Sequence, residues 1–312
     1  MYPFKLEPVC KQIIWGGNRL KTEYGFKSDS DNIAEAWMLT CREDGENRVT
    51  GSSALIGDCI SDEAIGTKYT PGDDFPLLIK LIDAKSDLSV QVHPDDAYAA
   101  EHEDSPGKTE AWYIIDCDEG AELIYGFRDK ISGEAFRAAL ENDTILDIVN
   151  RVKVKKGDFF FIPAGTLHAI GSGILLAEVQ QNCNTTYRVY DYNRLQDGKP
   201  RELHIDKAVD VTVTSPVQNS QSDCDTVRLG ECSLRKLCEC EYFSTSILEL
   251  KGLFSAEVAS DSFVSLLVLE GKGILEFEDA ELSFKKGESI FIPAGIGKIS
   301  LTGTASLLIS KM

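Results

Sequence analysis

Two stretches of this chain repeat each other. Residues 155 to 165 read KKGDFFFIPAG and residues 285 to 295 read KKGESIFIPAG, eight of eleven positions identical at an offset of 130. Repetition of this kind marks a duplicated unit, and the flanks describe it. EAWYIIDCDEGAELIYG (110–126) and FVSLLVLEGKGILEFED (263–279) share a layout of strand, glycine-containing turn and strand, now at an offset of 153. Short apolar and aromatic runs punctuated by Gly and Pro read as antiparallel strands. Because the two offsets differ by 23 residues, the first copy holds an extra segment, RDKISGEAFRAALENDTILDIVN (128–150). Ser132 as a cap and Phe136, Ala139 and Leu140 at helical spacing predict a helix there.

The order strand, turn, strand, KG with an acid, hydrophobic run and PAG resembles a cupin. That resemblance implies a mainly β bicupin, two jelly-roll-like β-barrels with a short helical insertion in the first. The expected division is a catalytic cupin domain over residues 1–240, with its insertion near 128–150, and a degenerate cupin domain over 241–312. The polar stretch SPVQNSQSDCD (215–225) has linker composition.

Comparing the copies separates scaffold from chemistry. Both keep the glycine that a tight turn needs and the proline that ends a strand. Only the first continues as FIPAGTLHAI, so His168 aligns with Lys298, and Glu110 aligns with Phe263. The second unit is therefore expected to bind no metal and to cover apolar surface of the first.

In LSVQVHPDD (88–96), Leu88, Val90 and Val92 point one way along an extended strand, and Ser89, Gln91 and His93 the other. The chain has four histidines, His93, His102, His168 and His204. Taken with Gln91 and Glu110, His93 and His168 supply imidazole nitrogen, carboxylate oxygen and amide oxygen, a donor set suited to zinc. An unpaired Glu110 inside a barrel is costly, and a bound cation removes the cost. The polar face is thus expected to turn inward. His102, in the acidic run EHED, reads as a surface residue. His204 opens a short helix without an assigned role, and Asp95 and Asp96 read as caps of the following segment. Lys108 shares a strand face with Glu110, and by the same count Arg188 shares one with Tyr190 and Arg194.

Charge and cysteine content narrow the partners. A net charge of -19 argues against nucleic acid or an anionic membrane as partner, since either would need a basic stripe. The apolar runs fall short of the roughly 20 residues a membrane-spanning helix needs. The start, MYPFKLEPVC, lacks the layout of a secretory signal, and a cytoplasmic location is expected. Nine cysteines, an odd number, fit reduced thiols better than a disulfide framework. The spacing of Cys232, Cys238 and Cys240 matches no common zinc pattern.

The segments IIWGGNRL, LSVQVHPDD, GKTEAWYII and FFIPAGTLHAIGSGILLAEVQQNCNTTYRVYDYNR resemble the motifs of type I mannose-6-phosphate isomerases in their short bacterial form. The likeness covers most of residues 8 to 210 together with the degenerate second unit. It implies an aldose–ketose isomerase that interconverts mannose 6-phosphate and fructose 6-phosphate through an enediolate-like state, with one zinc ion per chain. Carried over by position, Gln91, His93, Glu110 and His168 are the metal ligands, a water being the alternative to Gln91. Arg188 is the catalytic arginine. Lys108 and Ser89 are assigned to the sugar phosphate, Lys108 also to acid/base work. Glu178 is assigned to sugar hydroxyls or a proton relay, with an ion pair to a neighbouring strand as the alternative. The segment AEAWMLT (34–40) departs from the family, placing Met38 where relatives carry a polar residue. Two histidines and a carboxylate are also the ligand set of non-haem iron oxygenases, and a non-catalytic sugar-phosphate binder would keep the same pocket. Lys108 and Arg188 suit an anionic sugar better than dioxygen.

Overall fold

Two eight-residue strands are buried at every position, Leu77–Ala84 (LLIKLIDA) and Ile174–Gln181 (ILLAEVQQ). A strand buried on both faces needs a layer on each side, and the computed structural model, which describes residues 1–196, 198–217 and 226–312, supplies both. The expected linker lies largely outside the described residues. The two strands pair antiparallel, Ile174 opposite Ala84 and Gln181 opposite Leu77. They form the centre of a six-stranded sheet completed by Phe159–Ile162, Glu110–Cys117, Glu35–Leu39 and Val9–Lys11.

One face of this sheet packs Ile82, Trp112, Ile114 and Leu176 against Leu123, Tyr125 and Ile170. These belong to a five-stranded sheet ordered Tyr187–Tyr190, Val90–Val92, His168–Ile170, Glu122–Phe127, Val149–Lys153. The opposite face packs Leu77, Ile79, Leu81, Ala177 and Val179 against Leu237, Ile247, Phe263, Leu267 and Phe291 of the C-terminal half. The second unit therefore covers apolar surface of the first. Phe263 is buried in that shared cluster and Lys298 is exposed, so the residues aligned with Glu110 and His168 lie in unlike surroundings.

The C-terminal half is built on a nine-stranded sheet whose long strands, Ser244–Val258, Val264–Phe277 and Gly297–Lys311, enclose a core that includes Leu248, Leu266, Val268, Ile290 and Leu301. Its strands come from both sides of residue 240. Thr226–Leu229 and Cys232–Glu239 belong to it, and so does Phe4–Glu7, paired to Ser289–Ile292 with Phe4 opposite Phe291.

The sequence repeat encodes a turn. The N–H of Lys155 donates to Asp158 Oδ2 at 3.0 Å, and that of Lys285 to Glu288 Oε2 at 3.0 Å, so the Asp-to-Glu difference keeps the acceptor. Gly157 and Gly287 take φ of 88° and 83°, a left-handed conformation that disfavours a Cβ. Each turn then feeds a buried strand, Phe159–Ile162 or Ser289–Ile292.

The insertion forms the helix Gly133–Glu141, and Ser132 Oγ accepts from the Ala135 N–H at 3.1 Å. Phe136, Ala139 and Leu140 are its buried face. Phe136 and Leu140 join Ala208, from the helix Ile205–Val211, against Val90, Val92, Ile124 and Phe127. The insertion thus covers the outer face of the five-stranded sheet, which would otherwise be exposed apolar surface. Among the described residues, no helix is long and apolar enough to cross a membrane.

The strand carrying Arg188 ends at Tyr190, and Tyr192 and Asn193 follow with φ of 56° and 52°. This turn sends Arg194 back onto Asp191, Nη2 to Oδ1 at 2.6 Å, so Arg194 does not continue the strand face of Arg188 as the spacing predicted. Arg201 Nε donates to the other oxygen of Asp191 at 2.7 Å.

Two stability outcomes follow from this packing. Phe136→Ala should cost about 3–5 kcal/mol in urea unfolding, because it leaves a void under the insertion helix. Burial alone would raise the Asp191 pKa, and Arg201 and Arg194 outweigh burial and lower it. Its folded pKa therefore lies below the unfolded value of about 3.9, so its contribution is full above that value and is lost as pH falls through the folded pKa. Asp191→Asn should cost about 1–3 kcal/mol at pH 7, with the gap to the parent closing on acidification.

Candidate active site

The inward face of the five-stranded sheet carries a polar row. Gln91 is paired with both His168 and Arg188 on the neighbouring strands, and His168 with Tyr125. Directly opposed residues share a face, so Arg188, Gln91 and His168 stand side by side. Across the cavity the six-stranded sheet presents a second row, Trp112, Glu178, Lys80 and Trp37, by pairings of Glu178 with Trp112 and Lys80, and of Lys80 with Trp37. Glu110 stands two residues before Trp112 on the same face.

The two rows bring His93, Glu110 and His168 together, all three buried. One donor atom from each lies within 4.8 Å of the others. His93 Nε2 is 3.6 Å from Glu110 Oε2, and His168 Nε2 is 3.3 Å from Glu110 Oε1. The other nitrogen of each ring faces a backbone carbonyl, His93 Nδ1 to Thr185 O at 2.9 Å and His168 Nδ1 to Thr166 O at 2.8 Å. A carbonyl only accepts, so both Nδ1 atoms carry the proton and both Nε2 atoms aim lone pairs at the carboxylate. Burial, then the Lys108 ammonium and His168, lower the His93 pKa, and burial foremost brings His168 down to about 4. Both rings are neutral at neutral pH.

Glu110 Oε1 is buried without a hydrogen-bond donor. Burial and then the Glu178 carboxylate push the Glu110 pKa up, and Lys108 Nζ stands 2.8 Å from its Oε2 and 3.2 Å from His93 Nε2. Two imidazole lone pairs and a carboxylate oxygen converging on one point fit a divalent cation of zinc's preferences. The Gln91 amide reaches His168 Nε2 through its nitrogen at 3.4 Å, with its oxygen toward Ser89 Oγ at 3.3 Å.

Beside this centre opens a cleft of about 240 Å³, with Ser89, Gln91, Lys108, Glu178 and Arg188 in its wall. The lining carries four cationic side chains, Lys80, Lys108, Arg188 and Arg201, against the carboxylates of Glu35 and Glu178, in a chain of net charge -19. Arg188 Nε donates to Ser89 Oγ at 3.2 Å and Nη1 to the Glu202 carbonyl at 3.0 Å. Both acceptors are neutral, and the charges acting on the guanidinium are the carboxylates of Asp191 and Glu202 against the cations Arg201 and Arg194. Glu178 makes the cross-strand ion pair raised as its alternative, Lys80 Nζ at 3.0 Å, and takes the Trp112 N–H at 2.9 Å while still facing the cleft. Burial would raise its pKa, and Lys80 and Lys108 outweigh burial and lower it.

Sequence reasoning passed over Lys80, although a single cation inside the apolar run LLIKLIDA is itself the signal of a buried, paired charge. Trp15 was also missed. It lines the cleft because Gly16 and Gly17 let its segment press against Ala34 and Asp83, which a Cβ at either glycine would strike at 2.5 Å or less. His102 is exposed and stacks on Tyr98, and His204 stands at the N-cap position of its helix without a side-chain cap, its Nδ1 accepting from the Arg188 N–H at 3.3 Å. Asp95 caps the helix Asp96–His102, whereas Asp96 turns its carboxylate away to Gly107, Gln181 and Tyr242. Cys232 and Cys240 donate to backbone carbonyls of Lys251, Leu253 and Phe243.

Comparison with known proteins agrees with this geometry. Residues 3–122 match the catalytic domain of type I phosphomannose isomerases, and residues 233–312 the cupin domain of mannose-6-phosphate isomerases. The chain is 38% identical over 316 residues to mannose-6-phosphate isomerase ManA of Bacillus subtilis, covering 99% of each. It is 34% identical over 312 residues to the mannose-6-phosphate isomerase of Streptococcus mutans, covering 99% of this chain and 98% of that one. The crystal structure of a mannose 6-phosphate isomerase from Bacillus subtilis superposes over the full length of both chains with a TM-score of 0.93 at 37% identity. A mainly β chain with a cupin domain, a buried His–Glu–His centre and this likeness along its whole length belongs to the type I phosphomannose isomerases, a family of aldose–ketose isomerases.

Proposed function

We propose that the chain interconverts mannose 6-phosphate and fructose 6-phosphate with one zinc ion held by His93, Glu110, His168 and Gln91, in the cytoplasm. The observation that carries this reading is the convergence of three buried lone-pair donors beside a cleft whose wall carries Lys80, Lys108, Arg188 and Arg201. A half-turn of the Gln91 amide would present its oxygen in place of the nitrogen now beside His168. When bound, zinc supplies Lewis acidity to the carbonyl and neighbouring hydroxyl of the sugar.

The chain's own groups account for the remaining demands of the reaction. A proton must pass between C1 and C2, another between their oxygens, and the enediolate-like state between them is anionic. The Arg188 guanidinium, whose hydrogen bonds go to neutral oxygens, offers a fixed fork of donors to that charge. Burial would lower the Lys108 pKa, but the Glu110 and Glu178 carboxylates raise it, so Lys108 enters as an ammonium and donates a proton to substrate oxygen. Ser89, oriented by Arg188, and Glu178, held by Lys80 and Trp112, present an oxygen each to sugar hydroxyls. Trp15 and Trp37 wall the cleft with apolar surface and limit water.

The zinc-loaded protein should convert mannose 6-phosphate to fructose 6-phosphate, and absence of product at high protein concentration would favour a binder without turnover. His168→Ala should lower zinc from about one to under about 0.1 per chain by atomic absorption, and turnover by about 1,000-fold or more. Full zinc retention in that variant would remove His168 from the ligand set.

A further inference from the structure

Directly before Glu110, three consecutive residues are held by their backbone. The Gly107 N–H donates to Asp96 Oδ1 at 2.8 Å, the Lys108 N–H to Pro94 O at 2.9 Å, and the Thr109 N–H to Gln181 Oε1 at 2.8 Å. Gln181 closes the pattern by donating Nε2 to Asp96 Oδ1 at 3.1 Å. Gly107 lies so close to the start of the helix that a Cβ there would sit 2.4 Å from the Asp95 carbonyl carbon and the Asp96 nitrogen. The segment has one position to occupy, and Asp96 holds it there.

The second oxygen of Asp96 accepts from the hydroxyl of Tyr242 at 2.7 Å. Tyr242 belongs to the C-terminal half, in the turn between Cys232–Glu239 and Ser244–Val258 that closes with the Cys240 N–H on Phe243 O at 2.9 Å. Its neighbour Phe243 is wholly buried in the apolar cluster shared by the two halves, and Tyr242 itself packs against that cluster. The hydroxyl thus reaches Asp96 from a rigid base. Asp96 and Gly107 connect it to Lys108, whose ammonium stands 2.8 Å from Glu110 Oε2.

We propose that Tyr242 is a positioning residue for the reaction, through which the C-terminal half holds Lys108 and Glu110 in register with His93 and His168. The role rests on the isomerase reading above, since the register matters only where Lys108 and Glu110 act together. A hydrogen bond to a carboxylate that itself anchors a backbone N–H limits the travel of the Lys108 segment. Misplacement of such a group by a fraction of an ångström is expensive in turnover.

Tyr242→Phe removes one hydroxyl and keeps the ring, and the test uses the full-length, zinc-loaded protein. Amide hydrogen exchange across Gly107–Thr109 should accelerate about tenfold, with exchange in Ser244–Val258 unchanged, as expected for loss of one hydrogen bond to a charged acceptor. Turnover of mannose 6-phosphate should fall about tenfold in kcat with KM within about twofold, because the hydroxyl touches no substrate. Asp96→Asn, which leaves the cluster around Tyr242 intact, should move both readouts the same way. Unchanged exchange at Gly107–Thr109 in both variants would overturn the proposal, and so would faster exchange at undiminished kcat. Faster exchange in a protein whose parent form shows no turnover would uphold the strut and count against the isomerase reading instead.

Discussion

A carboxylate buried opposite two imidazole lone pairs is the constraint around which the rest of this structure is arranged. Glu110 is fully buried, and both histidine Nε2 atoms point at it because the Thr166 and Thr185 carbonyls claim the Nδ1 protons. Three electron-rich atoms within 4.8 Å repel one another unless a cation lies among them. Lys108 supplies one positive charge from the side. The hydrogen bonds behind the two rings hold both Nε2 atoms toward the carboxylate.

Such a centre demands an interior that is polar on the inside and apolar behind. Each sheet meets this by sending alternate residues to opposite faces, and each outer face then needs a cover. The helices Gly133–Glu141 and Ile205–Val211 cover one, and the C-terminal sheet covers the other. Phe263, where the first unit has Glu110, lies in the cluster between the halves. The electrostatics follow the same division. The acidic excess is distributed over the chain, while Lys80, Lys108, Arg188 and Arg201 collect in one cleft, where an anionic ligand meets positive potential.

Local rules carried far in this sequence. The repeated KKG with an acid specified a turn because the acid's oxygen caps a backbone N–H three residues back, an interaction complete within four residues. Ser132 and the spacing of Phe136, Ala139 and Leu140 specified the insertion helix for the same reason. The alternation in LSVQVHPDD holds for Ser89 and Gln91, which line the cleft, and for Val90 and Val92, which pack on the outer face, but not for Leu88, which lies before the strand and joins the inner cluster and the cleft. Counting by twos failed beyond Arg188, because the register shifts between Arg188, opposite Gln91, and Tyr190, opposite Val90, and left-handed backbone at Tyr192 and Asn193 then turns the chain before Arg194.

What the sequence determined by itself was the repeated turn and strand, the inserted helix and the residue types able to hold a metal, all properties of spacing and chemistry along the chain. Tertiary structure decided which of those residues meet. It placed Lys80 beside Glu178, the Thr185 carbonyl behind His93, and Tyr242 against Asp96, across separations of 98, 92 and 146 residues. Contacts at that range arise from how sheets pair and stack. No local pattern records them, because their energy comes from burying groups that are adjacent only after the chain has folded.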